Sequence, residues 1–299
     1  MGHERNKSRT ESKKMDLPIT RYPLSEFKSL LPLLTACFPD FWNARLAEGK
    51  YSFPYDLKLF AARLQGQWAG CIGLHSYPFC FGTETIDCAG VSDVAVAPEY
   101  RGRGYALQLQ EYVLNFCRRR YKETVFIPLY TEKSAVYTRL GWKIYHSDTS
   151  TEIKTADFPP QNTFSLDARR LSLPCLRSSR APQTEEEKTA WEIIRIYSGG
   201  KNFNGKCLRS GKTWHELFAD RSHRWTLEKN TYFLYKDNCL LEAYSLDPAH
   251  PVSRFTPRHG GHDDNKVMIN MPTANSETAR RLADAVTKGE IVFPAADVF

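Results

Sequence analysis

The stretch VSDVAVAPEYRGRGYALQL, residues 91–109, decides the fold of this chain of 299 residues. It begins as a Val- and Ala-rich strand, passes through the glycine loop RGRG (residues 101–104) and continues directly into a helix predicted for residues 105–120. The first backbone N–H groups of such a helix lack partners within the helix and point into the loop. Because the helix dipole and the loop arginines add positive charge at the same place, the stretch predicts an anion site, and a phosphate fits it.

The elements predicted before and after this stretch alternate between helices and strands. They are a helix over residues 23–38 that Pro32 kinks or splits, a hairpin over 57–77, a third strand over 85–97, a strand over 124–130, a short helix over 132–140 that Gly141 stops, and a strand over 142–145. This order predicts an α/β (α+β) layered fold with parallel strand pairing near the glycine loop.

The chain divides into four predicted parts. Residues 1–14 are a charged tail without the apolar segment of a secretory signal. Residues 15–156 contain the glycine loop, and residues 157–183 are a proline-containing linker in which residues 171–176 are a candidate crossing strand. Residues 184–299 repeat the order of helix, hairpin, strand and helix, without a second glycine loop.

The composition argues against several classes of protein. No apolar run approaches the ~20 residues of a membrane-spanning helix. Eight cysteines without a C-x-x-C pair indicate reduced thiols in a reducing, cytoplasmic compartment rather than a disulfide framework or a zinc ribbon. The Gly- and Asp-rich segment 259–264 is interpreted as an exposed turn rather than a metal site. The formal charge of +7 does not by itself indicate a nucleic-acid partner.

The glycine loop resembles the acetyl-CoA loop of the GCN5-related N-acetyltransferase (GNAT) superfamily. The superfamily signature is Arg/Gln-x-x-Gly-x-Gly/Ala, and Arg101, Gly104 and Ala106 meet it after the typical VAVAPEYRG. The dinucleotide-binding pattern G-x-G-x-x-G is not met, because its third glycine position is Leu107. The resemblance implies the GNAT fold, with a mixed, splayed central sheet, followed here by a second, degenerate GNAT-like domain.

The resemblance also implies that acetyl-CoA is the cosubstrate. We expect no metal. Backbone N–H groups of the loop would hold the pyrophosphate, and the preceding strand would offer its backbone to the pantetheine arm as if to a neighbouring strand. The residues that the resemblance assigns to acetyl-CoA binding are Val94, Ala95, Val96, Arg101, Gly102, Arg103, Gly104, Tyr105, Ala106 and Ser134.

Catalytic roles follow from the same resemblance. Tyr137 stands four residues before Gly141, where superfamily members have a tyrosine near the thioester sulfur, and its phenol would protonate the thiolate leaving group. The structural alternative is a tyrosine packed on the helix face, and Tyr130 is a less favoured acid. Asp93 is a candidate base or amine anchor, or else a structural hydrogen-bonding residue. The commoner base position is occupied by Gly90 here.

Within the superfamily, the chain is similar to the tandem type typified by the enhanced intracellular survival aminoglycoside acetyltransferases. The similarity lies in AGVSDVAVAPEYRGRG and PLYTEKSAVYTRLGW. In that type the terminal carboxylate enters the active site, so Phe299 becomes a candidate base, alongside Glu84, Asp87 and His75. The departure is a sterol-carrier-like third domain, for which this chain ends too soon.

The sequence therefore predicts an N-acetyltransferase that transfers the acetyl group of acetyl-CoA to a primary amine by direct attack in a ternary complex. The acceptor is a polyamine or aminoglycoside, or a protein amine. The alternative is a non-catalytic acyl-CoA-binding or interaction module that keeps the loop without turnover. We expect no nucleic-acid and no membrane partner, and the oligomeric state, a homo-oligomer included, stays open.

Overall fold

The structure of the protein, a computed structural model, describes residues 16–50, 53, 57–120, 127–145, 158–200, 202, 206–236, 239–254, 266–270 and 277–291. The α-helices are α1 (Leu31–Cys37), α2 (Pro39–Ala47), α3 (Tyr105–Arg120), α4 (Leu173–Leu176), α5 (Glu185–Gly199), α6 (Gly211–Ala219) and α7 (Glu277–Thr287). The strands are β1 (Thr20–Tyr22), β2 (Lys58–Leu64), β3 (Gln67–Phe81), β4 (Glu84–Val96), β5 (Ile127–Thr131), β6 (Lys143–Ile144), β7 (His223–Glu228), β8 (Thr231–Lys236), β9 (Cys239–Ser245) and β10 (Lys266–Asn270). Across these ranges, no helix combines the length and the apolar composition that crossing a bilayer requires.

An antiparallel sheet in the order β1-β2-β3-β4 forms the centre of the first unit. Its two longest strands, β3 and β4, form the hairpin that leads into the glycine loop. Buried apolar side chains from α1, α2 and α3, such as Leu34, Trp42 and Leu109, join those of the sheet in one core. The strand–loop–helix stretch that the sequence singles out therefore starts from the longest strand pair among the described residues.

A second sheet joins strands that lie far apart in the sequence. β10 lies between β5 and β6 and pairs antiparallel with both, so that Met268 stands opposite Leu129 on one side and Ile144 on the other. Met268 is fully buried in the core that also holds α3. From sequence we placed residues 266–270 in the second unit. The structure places them in the first, because there both edges of β10 find hydrogen-bond partners.

α7 follows β10 and also packs on the first unit. Leu282 and Ala285 contact the far end of the β3–β4 hairpin in a small apolar cluster with Phe79. At its rim, Arg281 forms an ion pair with Glu84 (2.6 Å). The helix was expected with the second unit as well, and its apolar stripe instead covers the first.

The third sheet, in the order β7-β8-β9, forms the second unit together with α4, α5 and α6. Large aromatic side chains, among them Trp214 and Trp225, fill its core. The sequence TEEE at residues 184–187 is typical of a helix start, and α5 does begin after Thr184, whose hydroxyl accepts a hydrogen bond from the Glu187 N–H (3.1 Å). β7 was missed from sequence, yet it pairs with β8 along its whole length. The second unit thus has a core of its own.

The two units contact each other directly. Residues 206–208 run beside the end of β3, where Cys80 donates its N–H to the Lys206 carbonyl (2.9 Å). On another side, Arg45 of α2 pairs with Glu216 of α6 (3.2 Å). Backbone pairing and an ion pair therefore join the units in addition to the linking chain.

Two helix predictions need correction. The helix expected over residues 23–38 is a 3₁₀ turn, Leu24–Leu30, followed by α1, and α2 follows it without having been predicted. Pro32 lies in the first turn of α1, where its missing N–H costs nothing. The helix expected over residues 132–140 is a pair of 3₁₀ turns that end at Gly141, whose φ is 81°.

Two strand predictions also differ from the structure. The candidate crossing strand over residues 171–176 contains the single turn α4, since the Ser172 side chain accepts the Cys175 N–H and caps a turn there. All strand pairs in the described ranges are antiparallel, so the parallel pairing expected near the glycine loop is not found among them. β4 and β5 contact each other without sharing a hydrogen-bonded ladder, so the strand arrangement is splayed between them.

Met268→Ala tests the burial of β10. Because this side chain is fully buried in the first unit's core, its truncation should lower the free energy of unfolding by about 2–5 kcal/mol, measured by urea denaturation. Leu173→Ala, which trims an exposed side chain of the second unit, is the control, and a change within about 0.5 kcal/mol is expected for it. Equal losses in the two variants would contradict the position of β10.

His75→Gln tests the burial of the His75 side chain in β3. Burial lowers the pKa of His75 to about 3, well below the value near 6.5 of an unfolded chain. The unfolded state therefore binds the extra proton first, and the stability gained from a neutral His75 is complete above pH 6.5 and lost as the pH falls toward 3. Urea denaturation of the variant between pH 6.5 and 3 should show a smaller loss of stability than the wild type, and parallel curves would refute the burial.

Candidate active site around the glycine loop

β4 carries an irregularity directly before the glycine loop. Its pairing with β3 shifts register between Cys71 and Gly73, where two residues of β4, Asp93 and Val94, lie opposite a single residue of β3. This arrangement is a β-bulge, which bends a strand and interrupts its regular pairing. Asp93 has a φ of 50°, in the left-handed region that Asp tolerates better than most residues. The bulge therefore stands at the start of the three residues assigned to the pantetheine arm.

Those three residues differ in their surroundings. Val94 and Val96 are half-buried, whereas Ala95 is buried and pairs with β3. The Val96 carbonyl accepts hydrogen bonds from the Cys37 thiol (3.4 Å) and from Nε of Arg101 (3.2 Å). Since Arg101 opens the glycine loop, these bonds tie the end of β4 to the loop that follows it.

The glycine loop itself is rich in free backbone donors. Gly102 and Gly104 have φ values of 76° and 79°, which favour glycine strongly. Among the described residues, no acceptor binds the backbone N–H groups of residues 102–106, the last two of which open α3. Consecutive N–H groups at a helix N-terminus form an anion site, and the helix dipole reinforces it. The prediction of free donors in this loop is therefore met by the geometry.

Arg101 and Arg103 bring positive charge to these donors. Both side chains are exposed, and within the described ranges their guanidinium groups hydrogen-bond to backbone carbonyls rather than to carboxylates. Arg103 bonds to the Glu99 carbonyl (3.2 Å) and lies over the Tyr100 ring at 5.4 Å. These contacts hold both guanidinium groups beside the loop. Among the described residues, no carboxylate pairs with either of them.

Tyr137 lies between the two 3₁₀ turns that follow β5. It is buried in the first unit's core, the same core that holds Ala95 and Tyr105, and its ring stands edge-on to Trp142 at 5.9 Å between centroids. Burial raises the pKa of Tyr137 to about 12, and a hydrogen bond with the Thr131 side chain offsets this rise only in part. The phenol therefore keeps its proton across the neutral range, as a proton donor must.

The other residues singled out from sequence occupy varied positions. Ser134 is half-buried, and its carbonyl accepts the Tyr137 N–H (3.0 Å), so it lies next to the tyrosine in the turn. Asp93 is half-buried on the bulge, and Gly90 is buried four residues before Val94. Phe299 lies outside the described residues, as do residues 259–264.

The remaining candidate bases lie in three different settings. Glu84 is committed to α7, because it pairs with Arg281 and accepts a hydrogen bond from Thr278 (3.2 Å). Asp87 is exposed on the hairpin. His75 is buried opposite Gly90 and is neutral at physiological pH. Glu84 thus has a structural role in holding the last helix.

Sequence reasoning missed Thr131, which the structure brings to the Tyr137 hydroxyl. Thr131 ends β5, and its side-chain oxygen also accepts the Lys133 N–H (2.9 Å), so it orders the start of the turn as well. The Thr-x-Lys spacing after a strand is a weak turn signal that could have indicated the bond from the Lys133 N–H.

In the described ranges, no three His, Cys, Asp or Glu side chains are grouped closely enough to hold a metal ion.

A groove of about 310 Å³ opens beside the glycine loop. It runs between α1 and the β2–β3 turn and reaches the residues that precede the loop, with Leu33, Trp68 and Pro98 among its walls. Because these walls are largely apolar, the groove suits an uncharged part of a ligand and not a phosphate. The apolar groove and the anion donors of the loop therefore differ in the chemistry that they offer a ligand.

Comparison with known proteins finds a family match for the first unit. Residues 19–145 match the family described as the acetyltransferase (GNAT) domain. Among curated proteins, no match was found. The match spans the first sheet, the glycine loop and Tyr137, so it covers the whole of the site described above.

Solved structures with TM-scores above 0.5 show the same fold over most of the chain. A probable N-acyltransferase from Enterococcus faecalis is 13% identical with a TM-score of 0.56, and the alignment covers 86% of this chain and 73% of that one. A GCN5-related N-acetyltransferase from Kribbella flavida is 15% identical with a TM-score of 0.51, covering 86% and 71%. Eis1 from Mycobacterium abscessus is 18% identical with a TM-score of 0.47, covering 73% and 53%.

At these identities the solved structures show the fold and not the activity. Residues 19–145 of the chain thus match the acetyltransferase (GNAT) domain, within a fold that the solved structures share over most of the chain.

Proposed function

We propose that the protein transfers the acetyl group of acetyl-CoA to a primary amine in a ternary complex, with Tyr137 as the acid. The observation that carries the proposal is the row of free N–H donors at residues 102–106, flanked by two arginines, in the same unit as a buried, protonated tyrosine. The N–H donors and the arginines suit a pyrophosphate, and the protonated tyrosine suits a leaving thiolate.

The loop and β4 would bind the cosubstrate together. The N–H groups of residues 102–106 and the side chains of Arg101 and Arg103 would hold the pyrophosphate. The backbone of residues 94–96 would align the pantetheine arm, with Ser134 as a further contact. When bound, acetyl-CoA supplies an activated acetyl thioester. The bonds between Arg101, Cys37 and the Val96 carbonyl support this arrangement, because they fix the strand relative to the loop.

The remaining candidate residues are proposed to transfer protons during the reaction. The amine nitrogen bonds to the acetyl carbon while the carbon–sulfur bond breaks, and Tyr137 gives its phenolic proton to the leaving sulfur. The attacking amine loses one proton. Asp93, at the bulge, is proposed to anchor the amine or to accept that proton, and the Phe299 carboxylate stays a second candidate base.

The two-unit arrangement gives the acceptor a place to bind. We propose that residues 15–156, completed by β10 and α7, form the acetyl-CoA unit, that residues 157–183 link it to the second unit, and that the degenerate second unit shapes the acceptor cleft. Direct contacts between the units, such as Arg45 with Glu216, support a fixed cleft. A polyamine or aminoglycoside suits an acidic anchor such as Asp93, since both are polycations at neutral pH.

A panel of amines tests the proposed reaction. Release of the CoA thiol is measured with a polyamine, an aminoglycoside and a lysine peptide, for the wild type and for Asp93→Asn, which keeps the shape and tolerates the left-handed φ. Turnover is expected with at least one amine, and Asp93→Asn should raise the KM for that amine about tenfold while the KM for acetyl-CoA stays the same. Tight binding of acetyl-CoA without turnover of any amine would instead establish a non-catalytic acyl-CoA-binding module.

Tyr137→Phe tests the acid. The ring and its packing against Trp142 are retained, and only the proton donor is lost. We expect kcat to fall about a hundredfold, within the range for loss of a general acid, with the KM for acetyl-CoA nearly unchanged. Tyr130→Phe is the matched control, and its kcat should match the wild type. Wild-type kcat in Tyr137→Phe at neutral pH would remove the acid role.

A further inference from the structure

The turn that carries Tyr137 is held by a strand from far along the chain. Asn270, the last residue of β10, donates from Nδ2 to the Leu140 carbonyl (2.8 Å). Asn270 is buried, with 5% of its surface exposed. Leu140 ends the second 3₁₀ turn, so its carbonyl is among those left without a partner inside the turn. Asn270 supplies that partner across 130 residues of sequence.

This bond leads to the Tyr137 backbone in one further step. Leu140 donates its N–H to the Tyr137 carbonyl (3.1 Å), and the same residue receives the Asn270 amide at its own carbonyl. Gly141 follows directly, with its left-handed φ, and leads the chain into β6. A shift of Leu140 would therefore carry Tyr137 with it.

β10 also reaches the other end of the tyrosine. Its first residue, Lys266, pairs with Thr131 of β5, and the Thr131 side chain is the hydrogen-bond partner of the Tyr137 hydroxyl. One five-residue strand thus fixes the backbone of the Tyr137 turn through Asn270 and the partner of its hydroxyl through backbone pairing. Both contacts come from a segment that follows the second unit in sequence.

We infer that Asn270 is a positioning residue for the reaction: its side-chain amide holds the Leu140 carbonyl and thereby sets where the Tyr137 hydroxyl stands. The inference rests on the proposed acid role of Tyr137. Loss of the amide leaves the partly buried Leu140 carbonyl without its Asn270 partner, so the turn is free to shift. The binding loop at residues 101–104 belongs to a different connection, so acetyl-CoA binding should hardly change.

A double-mutant cycle tests the inference. Asn270→Ala in the wild type should lower kcat about tenfold, the scale of one lost hydrogen bond, with the KM for acetyl-CoA changed less than about twofold. In the Tyr137→Phe background the same change should lower kcat less than about twofold, because the group that Asn270 positions is already gone. Leu282→Ala, in the buried face of α7, is the control for general loosening of the C-terminal segment, and its kcat should stay near the wild type.

Asn270→Asp keeps the test valid if the alanine variant does not fold. It preserves the shape of the side chain and replaces the donor with an oxygen that faces a carbonyl, so its kcat should fall at least as far as that of Asn270→Ala. Equal losses from Asn270→Ala in both backgrounds, or wild-type kcat in both Asn270 variants, would overturn the positioning role even where Tyr137→Phe is impaired. If Tyr137→Phe itself has wild-type kcat, the acid role fails and the inference falls with it, and the single variant shows this by itself.

Discussion

The pairing of β10 with both β5 and β6 is the constraint on which the rest of the structure depends. β5 and β6 frame the turn that carries Tyr137, and they do not pair with each other in the described ranges. β10 fills the space between them, buries Met268 in the main core and delivers Asn270 to the turn. β10 follows β7, β8 and β9 in the sequence yet lies between β5 and β6, so the order of the strands in this sheet differs from their order in the sequence.

A second constraint acts at the bulge in β4. Two residues opposite one disturb the pleat at Asp93 and Val94, just before the loop whose N–H groups lie free. If β4 were hydrogen-bonded to neighbouring strands along both edges, its backbone N–H and carbonyl groups would all be occupied. A strand that binds a ligand through its backbone must therefore lie apart from one neighbour. Among the described residues no ladder joins β4 to β5, and in the proposed cosubstrate site this gap provides the separation. The bulge in β4, the gap between β4 and β5, and the free N–H groups of the loop lie close together in the chain and serve the same proposed binding site.

Buried charge in the second unit follows a different principle. The side chains of Arg209 and Glu242 are fully buried and form a two-pronged pair (2.5 and 2.8 Å), with the guanidinium over the rings of Tyr197 and Trp214. Such a pair survives burial only when its geometry satisfies both partners, and by itself it is weak evidence for added stability. The second unit thus holds an ion pair, flanked by aromatic rings, inside its own core.

Local signals determined much of this protein from the sequence alone. The strand–loop–helix at residues 91–109, the Thr184 cap and the hairpin of β8 and β9 each depend on residues close in the chain, and periodicity and capping rules read such signals directly. The sequence could not place β10, because Lys266–Asn270 has the same apolar pattern whichever sheet receives it, and only the two open edges of β5 and β6 decide. Likewise, the partners of Tyr137 could not be predicted, since the Asn270 contact spans 130 residues and arises solely from tertiary packing.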